Sequence, residues 1–116
     1  MKNVTVVDTT SKYIVKSTGI GSETDQKMIE TSDGFGAEKL ESGDTDSLVS
    51  LIECYHLIEG TGTMTISAGD ETLPLTGKGK YGLRPGQLKF GNDKIFTLTT
   101  DSNVTSYLLV TEFRRN

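Results

Sequence analysis

Short apolar–polar alternations punctuated by turn residues run through this chain, and they predict strands rather than helices. In 3–8, NVTVVD, Val4 and Val6 share one face; in 12–17, KYIVKS, Tyr13 and Val15 alternate with Ile14. The residues Asp8 to Ser11 between them suit a hairpin turn. Alternation returns over 48–58, stops at Glu59-Gly60-Thr61-Gly62 and resumes in 63–67, TMTIS, where Met64 and Ile66 face one way. These two runs read as a second hairpin. ETLPLT (71–76) reads as an edge or irregular strand, because Pro74 removes a ladder donor. GKGKYG (77–82) reads as flexible linking chain, LRPG (83–86) as a turn and QLKF (87–90) as a short strand. Turns at 91–93 and 101–103 then bracket KIFTLTT (94–100) and precede the long closing strand VTSYLLVTEF (104–113). Eight or nine short strands at near-regular spacing predict one all-β domain over 1–116, an antiparallel β-sandwich or small barrel.

One stretch breaks the pattern. From Ser17 to Ser47 the large apolar residues are only Ile20, Met28, Ile29, Phe35 and Leu40, with no sustained 3.6-residue period. SETDQKMIE (22–30) suits one helical turn or a short strand. The whole of 17–47 reads mainly as a long polar surface excursion, and excursions beyond about 15 residues are usually functional or disordered.

Composition supports the β reading. Thirteen glycines and seventeen threonines disfavour helices, through backbone entropy and restricted rotamers respectively. The hydrophobic fraction, 34%, is thin for one core. The net charge of -4 is uneven: residues 17–47 hold eight acidic side chains against Lys27 and Lys39, a balance of -6, leaving +2 elsewhere. Nucleic acid needs a dense basic face, and only scattered lysines and Arg114-Arg115 are offered, so no nucleic-acid partner is expected. No run approaches the roughly 20 apolar residues of a membrane span, and the opening MKNVTVVDTTS lacks the apolar run of a signal peptide. No membrane partner is expected, and synthesis in a cytoplasm is.

Candidate chemistry concentrates in SLIECYHLI (50–58), which holds the only cysteine and the only histidine. Strand periodicity places Ile52, Cys54, His56 and Ile58 on one face and Leu51, Glu53, Tyr55 and Leu57 on the other. Glu53 then points away from both. A nucleophilic thiolate needs a base in hydrogen-bond reach and a group to orient it, and neighbours on one strand face stand parallel. This stretch therefore reads as a strand packed on both faces or at an interface. A structural zinc site wants four Cys or His ligands, and two exist. TGKGKYG (76–82) lacks the spacing of a phosphate loop, and GDTDS (43–47) fails the calcium-loop pattern, leaving only a looser acidic calcium site over 41–46. No catalytic residue, metal ligand or cofactor is expected, and an enzyme is not expected.

Assembly is the remaining expectation. A thin core can borrow burial from a partner or a copy of itself. Spaced anchors in polar chain suit an arm that orders on contact, and the opposite charges of excursion and body favour contact between molecules. The candidate partner contacts are Val4, Val6, Ile20, Met28, Ile29, Phe35 and Leu40.

Three stretches, NVTVVDTTSKYIVKS (3–17), SLIECYHLIEGTGTMTIS (50–67) and DSNVTSYLLVTEF (101–113), give the chain a resemblance. It resembles the small all-β head decoration, or cement, proteins of tailed bacteriophages. The resemblance implies a non-enzymatic virion structural protein, made in the host cytoplasm and placed on the capsid surface. There it would contact neighbouring capsomers of the same phage's major capsid protein, as a homo-oligomer, trimer or dimer. It transfers no functional residue. The alternatives are a soluble β-sandwich binding module for carbohydrate or protein and a phage tail or fibre accessory protein.

Overall fold

The period-two pattern reappears as burial. In Met64–Ala68 the residues Met64, Ile66 and Ala68 are buried while Thr65 and Ser67 are half-exposed, and Phe96, Leu98 and Thr100 repeat the pattern. The structure, a computed structural model, describes residues 1–9, 12–30, 48–82 and 90–115. Its strands are β1 (Lys2–Asp8), β2 (Lys12–Ile20), β3 (Gln26–Glu30), β4 (Val49–Gly60), β5 (Met64–Ala68), β6 (Glu71–Leu75), β7 (Lys78–Gly82), β8 (Phe90–Asp93), β9 (Ile95–Thr100) and β10 (Val104–Arg115). They form a single all-β domain of two antiparallel sheets, not a closed barrel. One sheet runs β1-β2-β10-β4-β7, with β8 pairing the start of β4; the other runs β3-β9-β5-β6.

Set β1 aside and take β7 and β8, which share one edge of β4, as an interrupted strand. The orders β2-β10-β4-β7 and β3-β9-β5-β6 are then those of a jelly roll, two Greek keys laid across facing sheets. That fold hosts capsid, lectin and cupin domains alike, so it assigns no function by itself.

The core lies between the sheets. Leu51, Cys54, Ile58, Tyr107, Leu109 and Phe113 come from the larger sheet, and Met28, Ile29, Met64, Ile66, Phe96 and Leu98 from the smaller. Phe96 and Phe113 meet across the interface edge to face, with centroids 4.9 Å apart and rings at 66°, and Phe90 adds a second such contact to Phe96 at 6.2 Å. Such pairs contribute about 0.5–1.5 kcal/mol beyond their buried area.

The expected β1–β2 hairpin forms, and β6 is an edge strand. Other expectations are corrected. β4 and β5 do not pair; they lie in different sheets, because apolar alternation marks a strand's faces but not its partner. Lys78–Gly82 of GKGKYG is strand β7, since β4 supplies hydrogen-bond partners that its weak local propensity does not need to anticipate. Asn92 and Asp93 extend β8 rather than turning. Residues 17–30 are not an excursion: β2 continues to Ile20, and β3 is an edge strand of the smaller sheet paired with β9. The remainder of that stretch, 31–47, lies outside the described residues, as do the turn at 83–86 and the candidate calcium stretch 41–46.

Three of the sheet crossings share one corner. Asp101 accepts from the backbone N–H of Thr63 and of Asn103, each at 2.9 Å, and its carbonyl accepts from the Ser22 N–H at 3.1 Å. The Asn103 carbonyl accepts from the N–H groups of Thr61 and Gly62. One turn thus ties the β2–β3 and β4–β5 crossings to the β9–β10 connection. Gly60, at φ 97°, has the left-handed conformation that this change of sheet requires, and a Cβ there would strike the Asn103 carbonyl.

Candidate functional site

Strand registry fixes what the larger sheet shows to solvent. Tyr107, Leu109, Thr111 and Phe113 of β10 are buried, so Ser106, Leu108, Val110, Glu112 and Arg114 point outward. The registers of β2, β4, β7 and β1 extend this outer face in rows. One row is Lys2, Thr18, Leu108, Leu57, Lys78; the next is Val4, Lys16, Val110, Tyr55, Lys80; a third is Val7, Ile14, Glu112, Glu53. Ile20 and Ser106 begin a further row that ends at Glu59.

This face is unusually apolar for one turned to water. Val4, Ile20 and Tyr55 are exposed at 48%, 66% and 40%, and Val7, Ile14, Leu57, Leu108 and Val110 are half-buried around them. An open recess of about 170 Å³ lies on it, lined by Ile14, Glu53, Tyr55, Val110 and Glu112. Both carboxylates at the recess are paired, Glu53 with Lys80 Nζ at 2.6 Å and Glu112 with Arg114 Nε at 2.7 Å. Lys2, Lys12, Lys16, Lys78, Lys80 and Arg114 project from the same face against Glu53, Glu59 and Glu112, an excess of three positive charges. The arrangement is an apolar strip in a basic frame.

The inner face holds the polar groups that chemistry would need, and the fold holds His56 and Ser17 by hydrogen bonds. His56 is buried, with Nδ1 3.1 Å from the Gly77 carbonyl and its ring against Gly79 of β7. Cys54 is fully buried two residues away, and desolvation pushes its thiol up to about 11, so it is protonated and unreactive at neutral pH. Glu53 points to the opposite side, as the strand period requires. Ser17 donates to Asn3 Oδ1 at 2.7 Å; Ser50, in register with Arg114 rather than on the inner face, donates to the Gly91 carbonyl at 2.6 Å. Thr111 Oγ1 is buried with no hydrogen-bond partner among the described residues. No group of three or more His, Cys, Asp or Glu residues that could hold a metal occurs among the described residues.

A separate polar knot closes the end of the sandwich. Glu23 takes the Met1 amino group at 2.9 Å on one oxygen and the Tyr107 hydroxyl at 2.5 Å on the other. Burial alone would raise the Glu23 pKa, but the Met1 charge and the Tyr107 hydroxyl together leave it lowered. Tyr107 is raised in turn, by burial first and by the adjacent carboxylate.

The candidate contact residues divide. Val4, Val6 and Ile20 are exposed. Met28 and Ile29 are buried between the sheets at 3% and 1%, because a bulge between Lys27 and Ile29 in β3 turns both inward, so they serve the core rather than a surface. Phe35 and Leu40 lie outside the described residues. A bulge also corrects the faces expected for 50–58 in β4: Ile52 is the extra residue opposite Glu112 and Phe113, which puts Leu51, not Ile52, in line with Cys54 and His56. Sequence reasoning did not select Tyr55, Leu57, Leu108 and Val110 as contacts. Their signal was present in YHLI (55–58) and YLLV (107–110), runs apolar on both faces in a sheet with only one face against the core.

Compared with known proteins, the chain matches no protein family, no curated protein and no solved structure.

Proposed function

We propose that this protein is a non-catalytic assembly subunit that works by laying the outer face of its larger sheet against other protein, and that its setting is the surface of a phage capsid. The observation that carries the reading is the apolar strip of Tyr55, Leu57, Leu108 and Val110 within a rim of lysines, on a face that the described residues leave open. Contiguous exposed apolar surface of this kind marks interaction sites. The jelly-roll strand order is compatible with a capsid-associated role, and the resemblance in 3–17, 50–67 and 101–113 supplies the capsid. The test is co-sedimentation of the purified protein with phage heads that lack it, from the phage whose genome encodes it. Saturable binding that raises the temperature at which heads rupture supports the reading; no binding at high concentration contradicts it.

A second reading, a small-molecule-binding jelly roll, draws on His56, Ser17 and Thr111 as polar groups on the inner face. It expects a ligand-dependent rise in melting temperature that His56→Ala abolishes.

A further inference from the structure

We propose that the outer face of the larger sheet binds a protein surface that is apolar at its centre and carries carboxylates on two sides of that centre, about 19 Å apart. The proposal rests on the assembly reading above and names the chemistry of its partner.

Strand registry sets the pattern that the partner must match. The row Lys2, Thr18, Leu108, Leu57, Lys78 has a cation at each end and the two leucines between. Four strand spacings of about 4.8 Å separate its two lysines. In the adjacent row Val4, Val110 and Tyr55 continue the strip, with Lys16 between Val4 and Val110. Lys2, Lys16 and Lys78 are exposed and make no ion pair among the described residues, whereas Lys80 and Arg114 are neutralised by Glu53 and Glu112. An uncharged partner laid over the strip would take water from three unpaired cations and give nothing back. A partner that sets a carboxylate against each replaces that hydration and matches the potential of the face.

Other occupants match the face less well. The same face of a second copy would oppose like charges, since each copy brings six cations and three carboxylates. Nucleic acid or an anionic membrane has continuous negative charge and would meet Glu53 and Glu112 at the recess beside Tyr55. A protein surface can place its carboxylates at the lysines alone. Size agrees with this choice. The face is about 19 Å across its five strands and about 27 Å along β2 from Lys12 to Ile20. That is about 500 Å² in projection, of the same order as the roughly 800 Å² that a stable interface takes from each partner.

The experiment is co-sedimentation with phage heads that lack the protein, over about 50 to 500 mM sodium chloride. It compares the wild type with Lys16→Glu, Lys78→Glu and Lys94→Glu, each checked for folding by far-UV circular dichroism. Lys94→Glu changes the net charge equally but lies in the connection between β8 and β9, not on this face. The wild type is expected to lose affinity about tenfold across the salt range. Each face variant is expected to bind about tenfold more weakly than the wild type at low salt, and Lys94→Glu within about twofold of it. Binding that neither salt nor the two face variants weaken overturns this proposal alone and leaves the assembly reading standing. Weakening by Lys94→Glu equal to that by Lys16→Glu does the same. Equally tight, Lys16-dependent sedimentation with phosphatidylserine vesicles also overturns it, by making a membrane the occupant. No binding of the wild type at any salt removes the assembly reading, and this proposal with it.

Discussion

Glu53 and Glu112 stand directly opposite each other on β4 and β10, and each carboxylate is held by a different cation, Lys80 at 2.6 Å and Arg114 at 2.7 Å. Like charges in cross-strand register destabilise a sheet unless they are neutralised. The two ion pairs therefore make one unit rather than two independent surface bridges. Both cations are about half exposed, so each pair contributes at most about 1 kcal/mol. Lys80→Ala should lower the unfolding free energy by that amount in urea titrations, and adding Glu112→Gln should restore part of the loss. Simple additivity of the two substitutions would contradict the coupling.

The corner at Asp101 holds more of the fold than its exposed position suggests. Asp101→Ala leaves the N–H groups of Thr63 and Asn103 without their acceptor and should destabilise the protein by about 1–3 kcal/mol. Gly60→Ala forces a side chain into a left-handed conformation and against the Asn103 carbonyl, with a similar loss of about 1–3 kcal/mol. Melting temperatures check both. A change of less than a degree in either would show that the crossings are held elsewhere.

The sequence carried strand positions and faces well wherever apolar alternation was strong, as in β5, β9 and β10. It carried partners poorly. TMTIS looks the same whether it pairs with β4 in a hairpin or crosses to the other sheet beside β9 and β6. β7 was hidden because glycine and lysine have little strand propensity, and β4 alone makes that segment extended. Bulges at Ile52 and in β3 shift side chains between faces, and nothing local in LIEC or QKMI announces them. The outer apolar face was half legible, through the apolar residues of YHLI and YLLV. The basic frame was not, because Lys2, Lys16 and Lys78 are far apart in sequence and meet only through the registers of β1, β2 and β7.

The Glu23 knot gives a pH dependence with a defined sign. Its carboxyl is lowered below the ordinary value of 4.5, so its contribution is present above that value and is lost as the pH falls through the lowered, folded-state pKa. Tyr107→Phe removes one donor, raises the folded-state pKa and should make the acid loss begin at higher pH. Urea midpoints measured over about pH 3 to 6 read the shift. Identical acid profiles for wild type and variant would show that the hydroxyl does not hold Glu23.

Cys54 offers a probe of opening. With its thiol raised to about 11 by burial, the folded protein should resist a disulfide reagent at about pH 8. Labelling should accelerate with urea in step with unfolding, since the thiol reacts only when the sandwich opens. Stoichiometric labelling of the folded chain within the mixing time would place Cys54 at a surface and contradict the packing of β4 against the second sheet.

The central claim is that the working surface is the outer face of the larger sheet, with Tyr55 near its centre, while the interior is structural. The most direct measurement compares the co-sedimentation of wild type, Tyr55→Ser and His56→Ala with phage heads at matched concentration. The account predicts that wild type and His56→Ala bind alike and that Tyr55→Ser loses binding with an unchanged circular dichroism spectrum. Binding that survives Tyr55→Ser but is lost in a folded His56→Ala variant would contradict it.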